Sequence, residues 1–125
     1  MIEKRISSGS EFEKRIGYSR AVVDEHYVHV SGTTGYDYDK MSISEDVVEQ
    51  ADQCFQNIHA ALEEAGSSID KIVRVNYIFP DKHDFEACWP VFQKYLKNAM
   101  PAATMIEAGL LDEKMKLEIQ VTASR

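Results

Sequence analysis

A chain of 125 residues has room for one hydrophobic core and not for two. Its 44% hydrophobic and 28% charged residues are the composition of an ordinary globular domain, which excludes a disordered tail. Fourteen Lys and Arg against 21 Asp and Glu leave a net charge of −7, and this argues against nucleic acid or an anionic membrane as a main partner, because both are bound through clustered cations.

The first half reads as strands. Glu3–Ser7 is a short edge strand, and Ser19–Val23 and Tyr27–Gly32 flank Asp24-Glu25 as a hairpin. Tyr27, His29 and Ser31 face one way and Val28 and Val30 the other. Gly32, Gly35, Asp37 and Asp39 mark a loop. Ser42-Ile43-Ser44-Glu45 has the form of a capping box opening a helix. Val47, Ala51, Cys54, Phe55, Ile58, Ala61, Leu62 and Ala65 recur at helical steps along it, and Gly66 stops it. Ile69–Phe79 is the next strand, with Val73, Val75, Tyr77 and Phe79 on one face and Arg74 and Asn76 on the other. Within the helical stretch Asp84–Asn98, Pro90 is tolerated only near a helix start, so a turn through Phe85–Cys88 is predicted to precede regular helix from Trp89. Ala103–Ala108 and Met115–Ala123 are strands around a loop at Gly109–Lys114. Met115, Leu117, Ile119, Val121 and Ala123 form the apolar face of the last one.

The order is β-β-β-α-β-α-β-β, an α+β domain over residues 1–125 with two helices covering one face of the sheet. Tyr27, His29, Ser31, Arg74, Asn76, Glu118 and Gln120 make the other face, which is either open to water or closed by another subunit. Glu118 is a solvated carboxylate in the first case. In the second, burial raises its pKa and suits it to moving a proton or orienting water. Tyr18 and Ser31 offer hydroxyls to a closed cleft in the same way.

Other chemistries find little support. Cys54 and Cys88 stand outside any C-x-x-C pattern and are expected as reduced packing residues. Of the four histidines, His26 and His29 fall on opposite strand faces, and His59 and His83 lack an acidic partner at ligand spacing, so no metal is expected. Gly32-x-x-Gly35 lacks the lysine and helix start of a phosphate loop. Neither a basic-then-apolar leader nor a run of about 18 apolar residues occurs, so the expected setting is cytoplasmic and away from membranes.

The succession Gly17-Tyr18-Ser19-Arg20-Ala21, Val28-His29-Val30-Ser31-Gly32-Thr33, Gln50…Asn57-Ile58…Leu62-Glu63-Glu64-Ala65-Gly66, Val73–Phe79, Asp84-Phe85, Pro101-Ala102-x-Thr104 and Lys116-Leu117-Glu118-Ile119 resembles the RidA/YjgF family across essentially the whole chain. The resemblance implies a chorismate-mutase-like mixed sheet and a homotrimer with small-molecule clefts between neighbouring subunits. It also implies cofactor-free hydrolysis of enamines and imines, such as 2-aminoacrylate, to a 2-keto acid and ammonia. Tyr18, Ser31 and Glu118 fall on matching positions, Glu118 as the catalytic group handling water or protons. The backbone amide of Met105 is implied as a ligand contact.

The chain departs from the pattern at three of its site positions. Deaminating members carry an arginine that clamps the substrate carboxylate, and here that position is Ala103. Met105 replaces a cysteine, and Trp89 stands where asparagine is frequent, so the substrate-binding surface is larger and more apolar. Arg74 and Arg20 are the cations considered as substitutes. Three readings follow: a homotrimer binding a small metabolite, with imine hydrolysis weakened by the lost clamp; an active deaminase using another cation; and a non-catalytic ligand-binding or chaperone-like module.

Overall fold

Strands with one apolar face and helices with one apolar stripe must pack as layers, and a computed structural model of the chain, describing residues 1–125, has this arrangement. In chain order the elements are β1 (Lys4–Ile6), α1 (Glu11–Ile16), β2 (Ala21–Val23), β3 (Tyr27–Thr33), β4 (Tyr36–Asp37), β5 (Ser42–Ile43) and α2 (Val47–Glu64). They continue with β6 (Ile72–Phe79), α3 (Trp89–Leu96), β7 (Ala102–Glu107) and β8 (Glu118–Ser124). Six strands form a sheet in the order β1-β2-β3-β8-β6-β7, antiparallel throughout except for the β6–β7 pair. The fold is the expected α+β arrangement, with α2 and α3 as its two main helices.

The core lies between these helices and the sheet. Phe55, Ile58 and Leu62 of α2 and Val91, Phe92 and Leu96 of α3 meet Val28, Val30, Val75, Tyr77, Ile119 and Val121 in one buried cluster. Phe55 is stacked 5.0 Å from Tyr95 and lies edge-on to Phe92 at 6.0 Å, so one fully buried ring ties the two helices together. Cys54 and Cys88 are free, fully buried thiols in the same cluster, in keeping with their reading as packing residues.

Several boundaries differ from those read in the sequence. The stretch between β1 and β2 contains α1, which was not foreseen. Ser10 Oγ accepts from Phe12 N at 3.1 Å, Gly17 ends the helix at φ 97°, and Glu13 turns back to bond Ser8. The box at Ser42–Glu45 does not open α2, because Ser42 and Ile43 pair in β5 with Asp37 and Tyr36. The cap is Asp46, whose carboxylate accepts from Glu49 N at 3.3 Å. Val73 was placed with the core face, but a bulge separates the pairs Ile72↔Ala123 and Arg74↔Thr122. The extra residue turns Ile72 inward and leaves Val73 44% exposed. Before it, Ile69–Lys71 form a 3₁₀ turn rather than strand. The turn before Trp89 and the helix beginning there are as predicted, with Pro90 in the first helical turn.

Two of the motif residues prove to be clamps. The fully buried Gln50 side chain donates to the carbonyls of Ser44 (2.7 Å) and Lys114 (2.9 Å) and accepts from Lys116 N (2.9 Å). Asn57 donates to the carbonyls of Thr34 (3.0 Å) and Tyr36 (2.8 Å). Between them Gly35 lies against the helix backbone, and a Cβ there would be 2.6 Å from both Cα and O of Gln50. Gly35→Ala therefore has to push α2 off the β3–β4 segment. A loss of about 1–3 kcal/mol is expected, read as a lower urea midpoint at unchanged slope; an unmoved midpoint would show that the helix gives way freely.

Candidate functional site

The first group of predicted residues gathers around a second bulge. Val30 pairs with Val121 and Thr33 with Ile119, so Ser31 and Gly32 together oppose Gln120. Glu118 lies in the space this creates. A Cβ on Gly32 would overlap Glu118 Oε1 and sit 2.8 Å from its Cδ, so only glycine lets the carboxyl rest against the strand. Burial pushes the Glu118 pKa above the ordinary glutamate range, and the charge of Arg20 partly opposes it. No hydrogen bond contributes to the shift.

Arg20 holds this corner together. It is 3% exposed, donating from Nη1 to Tyr38 Oη (2.9 Å) and from Nη2 to Gly32 O (2.8 Å). Its guanidinium lies between the rings of Tyr18 and Tyr38, 5.7 and 5.6 Å from their centroids. One N–H of each terminal nitrogen is thereby spent within the protein, while the buried Nε–H has no hydrogen-bond partner. Burial raises the Tyr18 pKa, and the charge of Arg20 partly opposes it. Ser31 Oγ donates to Ser19 O at 2.6 Å, so toward a ligand the hydroxyl offers only its lone pairs.

The second group lies elsewhere. Ala103 pairs with Val75 and Met105 with Tyr77, so both side chains share the helix-bearing face. They line a cavity of about 420 Å³ between β7 and α3, together with Tyr77, Phe85, Trp89 and Phe92. Trp89 is half exposed and packs edge-on to Phe85 at 6.1 Å. β7 is an edge strand whose six residues are all exposed.

The two groups occupy opposite faces of one sheet. Glu118 pairs with Ile78, which shares the helix-free face with Asn76 and Arg74, while Ala103 and Met105 look the other way. Arg74 is exposed and sits beside Thr122, four residues along β8 from Glu118, or roughly 13 Å. All four histidines lie beside a carboxylate: His26 with Glu25 (3.8 Å), His29 with Asp24 (2.7 Å), His83 with Asp81 (3.0 Å) and His59 with Glu63 (2.9 Å). The last two correct the expectation that His59 and His83 lack an acidic partner. The cradle at Gly32 and the bracing by Arg20 were missed in the sequence, since a bulge and a buried guanidinium leave no local pattern there.

Comparison with known proteins matches this frame over nearly its whole length. The family model described as "Endoribonuclease L-PSP" matches residues 9–125. "Protein MMF1, mitochondrial" of Saccharomyces cerevisiae is 33% identical, covering 85% of this chain and 73% of its own. The "2-iminobutanoate/2-iminopropanoate deaminase" of Homo sapiens is 27% identical over 96% of this chain and 89% of its own. The solved structure of Rv2704 from Mycobacterium tuberculosis, described as a member of the YjgF/YER057c/UK114 family, superposes with a TM-score of 0.89 at 30% identity and covers 98% of both chains. No helix here is long and apolar enough to cross a membrane. With the family model spanning all but the first strand, and the whole sheet with its two covering helices superposing on a solved member, the chain belongs to the RidA/YjgF family.

Proposed function

We propose that this protein assembles as a homotrimer and binds a small carbonyl- or imine-bearing metabolite in clefts between subunits, where Glu118 promotes cofactor-free hydrolysis of the C=N bond. The observation that carries this reading is the half-buried, raised-pKa carboxyl of Glu118, cradled by Gly32 and without a hydrogen-bond partner. A group in that state is poised to take a proton from water and return it. Tyr18, Ser31 and Glu118 lie on one sheet face and Trp89, Ala103 and Met105 on the other, so they can share a ligand only if one copy contributes each set. The exposed edge β7, with Met105 55% and Ile106 50% exposed, supports such an assembly, since uncovered apolar edges invite pairing.

In this cleft water adds to the imine carbon as Glu118 accepts its proton. Transfer of that proton to nitrogen gives a carbinolamine; Glu118 then takes the hydroxyl proton and returns it to nitrogen as the C–N bond breaks, leaving a carbonyl compound and ammonia. The human relative's printed name, an imine deaminase, favours the same chemistry. On this reading Ala103 stands where the family motif's arginine would clamp a carboxylate, so small 2-imino acids are poor substrates. Cleavage of RNA is not proposed, because a net charge of −7 opposes the phosphate contacts it requires.

The test is direct. Imines are generated by an amino-acid oxidase in the presence of a trapping nucleophile, and their decay is followed with and without the protein, while light scattering gives the assembly state. The expected result is a trimer that speeds decay. A monomer, or a trimer that leaves every imine untouched, would overturn the reading; ligand-induced thermal stabilisation without turnover would favour a binding module instead.

A further inference from the structure

We propose that the cavity between α3 and β7 receives an aromatic or large branched side chain of a 2-imino acid, and that Lys97 supplies the cation holding its carboxylate. This rests on the imine-hydrolase reading above and assigns its substrate class. The cavity, about 420 Å³, is in the range of small-molecule sites. Apart from Gln93 and Lys97 its lining is apolar, with Trp89, Phe92 and Met105 offering broad faces to a ring or branched chain. A methyl-sized substituent leaves most of that surface in contact with water and gains little from it.

Lys97 is the only charged residue lining the cavity, and it lies there together with Ala103. It caps the C-terminal end of α3, where unpaired carbonyls favour a cation. Lys94, one turn earlier, is taken up by Asp52 at 3.1 Å, whereas Lys97 has no such pair. Neither Arg20 nor Arg74 lines the cavity. An apolar pocket with one unpaired ammonium at its edge selects an anion with a large apolar body. It disfavours cationic ligands, and it fits neutral apolar ligands less well because the ammonium would gain no partner. Lys97 thus offers a cation at the end of the helix that faces β7.

The experiment titrates the assembled protein with phenylpyruvate and with pyruvate, the 2-oxo counterparts of a large and a small imino acid, by calorimetry. In parallel, hydrolysis is measured on imines made by oxidase from phenylalanine and from alanine. Phenylpyruvate is expected to bind at least tenfold more tightly than pyruvate. Trp89→Ala should weaken phenylpyruvate binding far more than pyruvate binding, so that the preference is lost. Lys97→Gln should weaken both ligands by a similar factor of about five to ten, and Lys97→Arg should restore them. Both positions are solvent-accessible, and thermal melts of each variant verify folding. Equal affinity for the two ligands, or a cavity filled by a second copy of this chain and closed to phenylpyruvate, overturns the proposal, as does an inert Lys97→Gln. If the alanine-derived imine is hydrolysed and the phenylalanine-derived one is not, the substrate assignment alone falls; if neither is hydrolysed and neither ligand binds, the hydrolase reading falls with it.

Discussion

Glu118→Gln is expected to lower imine hydrolysis by about 10²–10⁴-fold, the usual contribution of a positioned proton-transfer group. Glutamine keeps the shape that fits against Gly32, so the fold is retained and only the ability to carry a proton is lost. Stability moves in the opposite direction. Burial raises the folded-state pKa of Glu118 above the unfolded value of 4.5, so folding favours the neutral form. The stabilising contribution of that neutral carboxyl is fully present below the unfolded pKa and is lost as pH rises through the folded one. At neutral pH the variant is therefore expected to melt above the parent, and below about pH 4 the difference disappears. Parallel melting curves and imine-decay rates across pH read both effects. A variant that loses activity and melts lower at neutral pH would indicate a structural role and remove Glu118 from the chemistry.

Ala103→Arg is the complementary gain. The position is exposed on an edge strand and opens on the cavity beside Trp89, so the long side chain enters without displacing core residues. A bidentate, charge-assisted contact to a carboxylate contributes about 2–4 kcal/mol in a partly dry cleft. Hydrolysis of the alanine-derived imine should accordingly rise about 30- to 1000-fold in kcat/KM. Imines with large side chains should gain less, because the new side chain takes up part of the apolar cavity and Lys97 already serves their carboxylate. Unchanged rates for the small imine would show that the missing clamp does not limit this protein.

How much of this was legible in the chain depends on the range of the forces involved. Alternation in Val28–Val30 and in Leu117–Ala123 marks strands with one buried side, and Leu117, Ile119, Val121 and Ala123 are all buried. The stripe from Val47 to Leu62 marks α2, and Pro90 marks where α3 can begin, because a proline's ring and missing donor act within one turn. Helix α1 carried its own local sign in Ser10-Glu11-Phe12-Glu13, the same pattern that misled at Ser42–Glu45. The difference is that Ser42 and Ile43 are held extended by pairing with Asp37 and Tyr36, a contact that overrides the local cap. Val73 was misplaced for a related reason: one inserted residue shifts the alternation, and only the partner strand reveals the insertion.

From the amino-acid order alone came the element types, the polar and apolar faces and the position of Glu118 on the polar face of the last strand, because periodicity and residue chemistry are properties of neighbours along the chain. Tertiary structure decided where those groups meet: the bulge that seats Glu118 on Gly32, the commitment of Arg20 to Tyr38 and Gly32 O, the separation of Trp89 and Ala103 from Glu118 by the thickness of the sheet, and the presence of Lys97 in the cavity of Ala103. Each of these is set by pairing register and packing between residues far apart in sequence, which no local pattern encodes.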